Sequence, residues 1–321
     1  STDAATLERL RGEHPVVEQL LSYREVEKLR STYGEGLLAV VEDDHRIRAT
    51  FNQTVARTGR LSSDAPNLHN IPVRTELGRA FRRAFVPSPG NTLLVADYNQ
   101  IELRCIAHLS NDPGLLAAFN AGDDIHTAVA SRTWGIPRGE VSSELRNRAK
   151  MVAYGLAYGM EAYGLGQRLS LPTDEASAIL EAYFGAFPGV RDYMERAVEE
   201  ARGKGYTETL FGRRLRIPEL NSSNFNVRQA GERQAMNAPI QGLAADIFKV
   251  ALVGIDRRLI SAGLMSRLVL QVHDEVILDI APMELDEVTE LVAHTMTEAF
   301  HLKVELAVDL ATGSTWADAK G

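Results

Sequence analysis

The sequence of 321 residues contains one cysteine, Cys105, which excludes an internal disulfide and a zinc site built from cysteines. No run of about 18 apolar residues and no signal peptide is visible, so we expect no contact with a membrane. Internal repeats and low-complexity stretches are also missing. The composition, 45% hydrophobic and 24% charged, is that of an ordinary globular protein, and the length allows one large domain or two smaller ones.

The sequence also has no excess of positive charge, since its formal net charge is −8. The segment from Asp274 to Asp309 alone has a net charge of −9, because ten acidic residues accompany a single base, Lys303. The rest of the chain is therefore close to neutral, and residues 57–83 contain six arginines. A local basic face can bind phosphate groups even when the total charge is negative.

A short apolar run ends at an acidic residue in the segment LLVADYNQIEL, residues 93–103. Leu93–Ala96 is typical of a buried strand, and a helical pattern follows from Ile101 to Leu109. Between them lies Asp97, a carboxylate that is poorly solvated at the end of a buried strand unless a positive charge lies on it. Aspartate is also a preferred helix N-cap residue. Asp97 alone does not decide between a cation ligand and a cap.

A second acidic cluster lies in RLVLQVHDEVILDI, residues 267–280. Two apolar arms, Leu268–Val272 and Val276–Leu278, flank a polar HDE and predict two strands joined by a tight turn. Asp274 and Glu275 would lie at its tip, and alone they are best interpreted as a solvated turn. If this hairpin neighbours the strand of Asp97, the carboxylates converge and can hold two divalent cations about 3.5–4 Å apart, as in phosphoryl-transfer enzymes.

A third segment, RNRAKMVAYGLAYG, has the spacing of a helix whose polar face can bind a nucleotide. Arg146, Lys150 and Tyr154 are four residues apart and therefore share one helix face. Two cations followed by an aromatic ring suit a triphosphate with its sugar and base. Arginine and lysine at this spacing are equally common on a solvated face. Asn237 and Gln241, on a predicted helix 232–242, share a face in the same way.

These three segments resemble the signature motifs of the family A DNA polymerases, the bacterial DNA polymerase I type. Several other motifs occur in the expected order over the whole chain: TGRLSS, PNLHNIPVR, DIHT, TLFGRR and NAPIQGLAADI. Some positions depart from the family pattern, namely His69, Asn99, Asn147, Ala153 and Leu243. None of these departures removes an expected metal ligand.

The resemblance implies an α+β fold in the form of a right hand, with an antiparallel palm sheet, inserted helical fingers and most of the thumb missing. Its expected parts are the end of the thumb (1–34), the palm (35–107 and 206–321) and the fingers (108–205). We interpret the chain as a C-terminal fragment of a longer polymerase. Apolar patterns further predict a hairpin within residues 38–55 that turns at Glu42–Asp44, a helix over 285–300 and a final strand over 304–310.

The resemblance implies a DNA-directed DNA polymerase of replication or repair that extends a primer 3′-hydroxyl with dNTPs on primer–template DNA. It would use two Mg²⁺ ions, with Mn²⁺ as a possible substitute, and act as a monomer at the nucleoid in the cytoplasm. The implied catalytic residues are Asp97, Asp274, Glu275 and Lys150, and the metal ligands are Asp97, Tyr98 and Asp274. The implied nucleotide-binding residues are Arg146, Lys150, Tyr154, His126, Gln100, Glu102 and Tyr158. The implied DNA-binding residues are Arg60, Arg74, Asn70, Arg233, Asn237, Gln241, His273 and Gly159.

Two alternatives stay open at this point. One is a catalytically silent DNA-binding scaffold derived from a polymerase, although the presence of both aspartates, Arg146, Lys150 and Tyr154 argues against it. The other is an RNA-synthesising relative with the same hand-shaped fold.

Overall fold

A four-stranded antiparallel sheet with two small companion ladders forms the framework of the protein. The structure is a computed structural model that describes residues 2–72, 76–122 and 124–320. Strand order in the large sheet is β6-β7-β3-β8, while β1 pairs with β2 and β4 with β5. The strands are β1 (Thr50–Asn52), β2 (Ser62–Asp64), β3 (Thr92–Tyr98), β4 (Tyr206–Glu208), β5 (Arg214–Arg216), β6 (Arg267–Val272), β7 (Glu275–Ile280) and β8 (Val308–Gly313).

Helices make up most of the rest of the described chain. A π-helical turn covers Leu29–Glu35, and short 3₁₀ turns cover Leu68–Asn70, Arg138–Glu140 and Pro218–Asn221. The α-helices are α1 (Ala4–Arg9), α2 (Pro15–Lys28), α3 (Gly36–Leu38), α4 (Glu76–Arg82), α5 (Ile101–Ser110), α6 (Pro113–Asn120), α7 (Ile125–Trp134), α8 (Ser143–Ala157), α9 (Ala162–Leu169), α10 (Thr173–Ala186), α11 (Pro188–Lys204), α12 (Phe225–Ser261), α13 (Leu285–Thr297) and α14 (Trp316–Lys320).

Strand β3 lies inside the sheet and is buried on both faces. Leu94 and Ala96 belong to the main core, which α5, α12 and α13 also build. Leu93 and Val95 point to the other side, into a second core that contains Tyr33 and Trp316. A strand covered on both faces needs apolar residues at every position, which explains the unbroken run that precedes Asp97.

Helix α12 is the longest element, with 37 residues and Pro239 in its interior. By length and composition alone, this helix is long and apolar enough to cross a membrane, because an 18-residue window of it has a mean hydropathy of 1.5. In the structure 67% of that window is buried inside the protein. The apolar character of α12 therefore belongs to a core helix. Asn224 caps its N-terminus by accepting hydrogen bonds from the Asn226 and Val227 amides.

The hairpin predicted for residues 38–55 is wrong. A turn does form at this place, with the Glu42 amide bonded to the Arg46 carbonyl at 2.9 Å. However, the chain enters it through helix α3, and strand β1 pairs with β2 across the TGR segment instead. Leu29, Tyr33 and Leu37 are buried at helical spacing, and this burial determines the local structure.

The other predicted helices and the final strand are present, although their ends differ from the predicted residues. The helix predicted over 285–300 is confirmed as α13, and the predicted helix 232–242 lies within the longer α12. The final strand starts at Val308, later than expected. The residue preceding α5 is Gln100, which adopts a left-handed conformation with a φ of 56°. Asp97 lies within β3 and is therefore not the cap of this helix.

Candidate active site

An open cavity of about 480 Å³ lies at the end of the large sheet where β3 and the β6–β7 turn meet. It brings together residues from the palm-like sheet, from the start of α5 and from the end of α8. The expected site residues on its wall are Asp97, Tyr98, Gln100, Glu102, Tyr154, Tyr158, His273, Asp274 and Glu275. The three motif segments, which are far apart in the sequence, therefore contribute residues to the same cavity.

Three carboxylates form a row across the strands at the cavity. Asp97 of β3 lies opposite Glu275 of β7 on one side and opposite Asp309 of β8 on the other. Like charges that face each other across strands destabilise a sheet unless a cation neutralises them. The Lys320 ammonium lies 2.9 Å from Asp97 Oδ2 and also contacts Glu275 Oε2.

Asp274 occupies the turn between β6 and β7, and Glu275 is already the first residue of β7. The Tyr98 amide donates a hydrogen bond of 3.1 Å to the Asp274 carbonyl, so the turn is fixed to the end of β3. Burial raises the pKa of the Asp274 carboxyl, and nearby Asp97 raises it further, while Arg60 and Lys320 oppose both effects. Burial therefore outweighs the two nearby cations, and the carboxylate form of Asp274 is disfavoured in this structure.

The donor set fits a divalent cation. Asp97 at the end of β3 and Asp274 in the neighbouring β6–β7 turn offer carboxylate oxygens, the hard ligands that Mg²⁺ prefers. Within the described chain, no group of three or more His, Cys, Asp or Glu side chains is placed to hold an ion alone. A Mg²⁺ site of one or two carboxylates is commonly completed by substrate phosphates.

Tyr98 can contribute to such a site only through its backbone. Its hydroxyl donates a hydrogen bond of 2.7 Å to the Met296 carbonyl and is buried in the core. Glu275 is engaged as well, since its Oε1 accepts a 2.9 Å hydrogen bond from Trp316 Nε1 while Oε2 contacts Lys320. Glu275 is therefore a residue that positions its neighbours rather than a free ligand.

A buried ion pair forms the floor beside the aspartates. Arg60 Nη2 lies 2.7 Å from Glu102 Oε1 and 3.7 Å from Asp274 Oδ2. Burial raises the pKa of the Glu102 carboxyl, and Arg60 opposes this shift. Arg60 thus lies inside the site, in contact with the first turn of α5.

The helix face predicted for nucleotide binding is present on α8. Lys150 is exposed and Tyr154 is half-buried, with its ring 5.7 Å from the ring of His126. Burial lowers the pKa of His126 to about 4, so this imidazole is neutral at pH 7. Arg146 is not free, because its Nε and Nη2 bond Asp124 Oδ2 at 2.9 and 2.6 Å.

Three expected DNA-binding residues meet where the end of α8 approaches α12. Gly159 has a φ of 65°, and a Cβ there would lie 2.7 Å from Asn237 Nδ2 and 3.2 Å from Arg233 Cβ. Only glycine fits this conformation and this close approach. Arg233 is paired with Glu161 at 3.1 Å. Gln241 lies half-buried one turn further along α12.

Two further expected DNA contacts, Asn70 and His273, lie in turns of the described chain. Asn70 is exposed at the end of a 3₁₀ turn, and His273 is exposed in the β6–β7 turn with a φ of 55°. The ring of His69 lies 5.5 Å from that of His273, and its Nε2 lies 3.0 Å from the Gln271 carbonyl. Arg74 lies outside the described residues.

The model of a single protein family, DNA polymerase family A, matches residues 1–318. The chain belongs to DNA polymerase family A. It is 53% identical to DNA polymerase I of Mycobacterium tuberculosis (strain ATCC 25618 / H37Rv) over 98% of its length and 35% of the relative's. It is 49% identical to DNA polymerase I of Lactococcus lactis subsp. lactis (strain IL1403) over 100% of its length and 37% of the relative's.

A solved structure of the same family confirms the fold. The POL domain of Pol1 from M. smegmatis, in complex with DNA primer-template and dNTP, has a TM-score of 0.95 and 51% identity. The match covers 100% of this chain and 57% of that one. The chain thus spans about a third of the curated family A relatives it matches, and the expected polymerase fold is confirmed over the length present.

Two contacts in this family A chain were missed from the sequence. Lys320 lies far from every motif, and a single lysine in a short helix gives no signal of its own. Asp124 belongs to the quoted DIHT segment, so its position beside His126 offered a signal, but its pairing with Arg146 depends on how α7 packs against α8.

Proposed function

We propose that this chain is the polymerase region of a DNA-directed DNA polymerase that extends a primer with dNTPs. The observation that carries the proposal is the convergence of Asp97 and Asp274 in one cavity, which Tyr154 of α8 and Tyr158, the residue after α8, also line. In this reaction the primer 3′-hydroxyl loses its proton and attacks the α-phosphorus. The bond to the bridging oxygen breaks, and pyrophosphate leaves.

Asp97, Asp274 and the Tyr98 main-chain oxygen would hold two Mg²⁺ ions, or Mn²⁺ in their place. When bound, such ions lower the pKa of the attacking hydroxyl and neutralise the leaving pyrophosphate. Around them, Lys150 would bind the triphosphate, and the neutral His126 would donate a hydrogen bond to it. Glu275 would hold helix α14 in place next to the end of β3. Gln100 and Tyr158 would line the nucleotide pocket.

Arg146 would reach the triphosphate only after it leaves Asp124. Their ion pair is about 40% exposed on each side, so water already screens it and little free energy opposes its exchange for a phosphate. A movement of α8 towards the palm would bring Lys150 and Arg146 onto the phosphates together.

Primer–template DNA would lie across the cavity between the two groups of expected DNA contacts. One group comprises Gly159, Arg233, Asn237 and Gln241, and the other comprises Arg60, Asn70 and His273. Arg74, outside the described residues, is proposed as a further DNA contact. The complex of the M. smegmatis relative with DNA primer-template and dNTP supports the proposal that this chain binds primer–template DNA. We propose that the enzyme acts at the nucleoid in the cytoplasm and works as a monomer.

A primer-extension assay tests the proposal directly. Pure protein with Mg²⁺, a primed DNA template and dNTPs should extend the primer by templated nucleotides. Extension with rNTPs but not with dNTPs would favour an RNA-synthesising enzyme. Retained DNA binding with no extension by either nucleotide set would identify a silent scaffold.

Glu102 is proposed to exclude ribonucleotides, since it lies in the first turn of α5 on the cavity wall. Its bulk would meet a 2′-hydroxyl at the sugar site. Glu102→Ala should raise rNTP incorporation relative to dNTP by about tenfold or more, the scale on which one shape contact discriminates. Single-nucleotide competition measures the ratio, and Glu102→Gln, which keeps the bulk, should leave it near the wild-type value. An unchanged ratio in Glu102→Ala would place the gate elsewhere.

Tyr154 is proposed to let the enzyme incorporate nucleotides that lack a 3′-hydroxyl. Within the described chain no group hydrogen-bonds with its hydroxyl, and its ring lines the cavity beside Glu102. That hydroxyl can fill the gap left by a missing 3′-hydroxyl and supply its hydrogen bond, worth about 1 kcal/mol or more, or at least about fivefold. The wild type should therefore use ddNTPs almost as readily as dNTPs, and Tyr154→Phe should restore discrimination. Competition at one template base checks this, and equal selectivity in both proteins would contradict it.

A further inference from the structure

Helix α14 is anchored against the carboxylate row by a buried tryptophan. Trp316 is fully buried, its ring packs edge-on against Phe85 at 5.5 Å, and the Arg82 guanidinium lies 3.9 Å above it. The Trp316 amide donates to the Phe85 carbonyl at 2.9 Å, and its indole donates to Glu275. Since Lys320 lies four residues later, it occupies the same face of α14 as Trp316.

Lys320 is thereby held over the end of β3. Its ammonium contacts two of the three carboxylates in the row, Asp97 and Glu275, and it lines the same cavity as Asp274. The row concentrates negative charge that the sheet alone cannot neutralise. Lys320 is therefore the positive charge that relieves repulsion between Asp97 and Glu275.

The same Asp97 oxygen cannot serve an ammonium and a divalent cation together. Mg²⁺ binds carboxylate oxygens at about 2.0–2.1 Å, which would leave the two cations within a few ångströms of each other. Repulsion between them is strong in a partly buried site. The Lys320 side chain is 37% exposed, so its flexible stem can swing towards water while Trp316 keeps α14 in place.

We propose that Lys320 is a built-in counter-ion that occupies the Asp97 site in the metal-free protein and is displaced when a divalent cation binds. The inference rests on the proposed two-metal function. Lys320 and the metal compete for the Asp97 carboxylate, so the protein itself weakens metal binding when no nucleotide is present. Triphosphate, which brings its own oxygen ligands, then helps the metal to displace the ammonium.

The test is Mn²⁺ binding to the full 321-residue chain without nucleotide, measured by the loss of the free Mn²⁺ electron paramagnetic resonance signal. Lys320→Met keeps the apolar stem and removes the charge. It should bind Mn²⁺ about five- to fiftyfold more tightly than the wild type. Lys320→Arg keeps the charge and should stay within about twofold of the wild type by the same reasoning.

Arg83→Met is the matched control for a general change of charge. Arg83 is exposed and does not line the cavity. It acts electrostatically on Asp318, which belongs to α14 as Lys320 does. Its removal should leave Mn²⁺ affinity nearly unchanged. Adding Asp97→Asn to Lys320→Met should abolish the gain, because the gain requires the Asp97 carboxylate.

Thermal melting supplies a second readout. With EDTA, Lys320→Met should melt about 2 °C below the wild type, and Mn²⁺ should raise its melting temperature more than that of the wild type. If Lys320→Met does not fold, Lys320→Gln replaces it in both measurements.

Equal or weaker Mn²⁺ affinity in Lys320→Met, or an equal gain in Arg83→Met, would overturn the proposal. In either case the wild type still binds Mn²⁺, so the proposed function would stand. If the wild type binds no Mn²⁺ even with primer–template and nucleotide, both the counter-ion and the proposed function are refuted.

Discussion

Asp97→Asn and Asp274→Asn are each expected to reduce primer extension by about a thousandfold or more, the effect of losing several kcal/mol of transition-state stabilisation. Both carboxylates line the cavity from adjoining elements, where their oxygens are ligands that Mg²⁺ prefers. An amide keeps the shape of the side chain but removes the charge that holds a metal. Pre-steady-state extension of a labelled primer measures the loss.

Primer–template affinity should stay within about threefold of the wild type in both variants, because long-range charge effects on DNA binding are modest for a single residue. Asp309→Asn is the matched control. Asp309 also lies opposite Asp97, on β8, but it is absent from the cavity wall and accepts a hydrogen bond from Asn99 at 2.9 Å. Activity within tenfold of the wild type in either aspartate variant would contradict the two-metal assignment.

Lys150→Ala should give the second largest effect, a loss of about a hundredfold or more in the rate of nucleotide addition. Lys150 is exposed on the face of α8 that also carries Tyr154, where it can bind the triphosphate as charge develops on it. Arg146→Ala should also lower this rate, because Arg146 would bind the triphosphate once it leaves Asp124. Single-turnover rates at saturating dNTP measure both losses.

Arg148→Ala controls for the loss of a positive charge on the same helix. Arg148 pairs with Glu144 at 2.8 Å and lies on a different face of α8 from Lys150. It should keep nearly full activity and unchanged thermal stability. If Arg148→Ala and Lys150→Ala lose activity equally, the helix acts through its total charge and not through one bound phosphate group.

Much of the site could be predicted from the sequence because its residues belong to local patterns, namely apolar strands that end at acidic residues and polar residues at helical spacing. The buried run before Asp97 and the apolar arms around Asp274 predict strands from hydrophobicity alone, and strand ends tend to meet at one edge of a sheet. The spacing of Arg146, Lys150 and Tyr154 likewise predicts their common face. These signals are local, so a single sequence contains them.

The remaining contacts depend on packing between segments far apart in the chain. The hydrogen bond from Lys320 to Asp97 joins residues 223 positions apart, and it accompanies the packing of Trp316, on the same short helix, against Phe85. The hairpin predicted near Val40 and Val41 failed for a related reason. Both valines are more than a third exposed, whereas the residues that determine that segment are Tyr33 and Leu37, buried at helical spacing.

The position of β3 in the sheet has a consequence for how the protein loses activity on heating. Its amides and carbonyls are bonded on both sides, to β7 and to β8, and its side chains are buried in two cores. Hydrogen exchange should therefore be slowest in residues 93–96, which open only when the whole domain unfolds. Fraying of outer helices leaves Asp97 in place. Thermal inactivation should then follow the global melting curve and should not precede it.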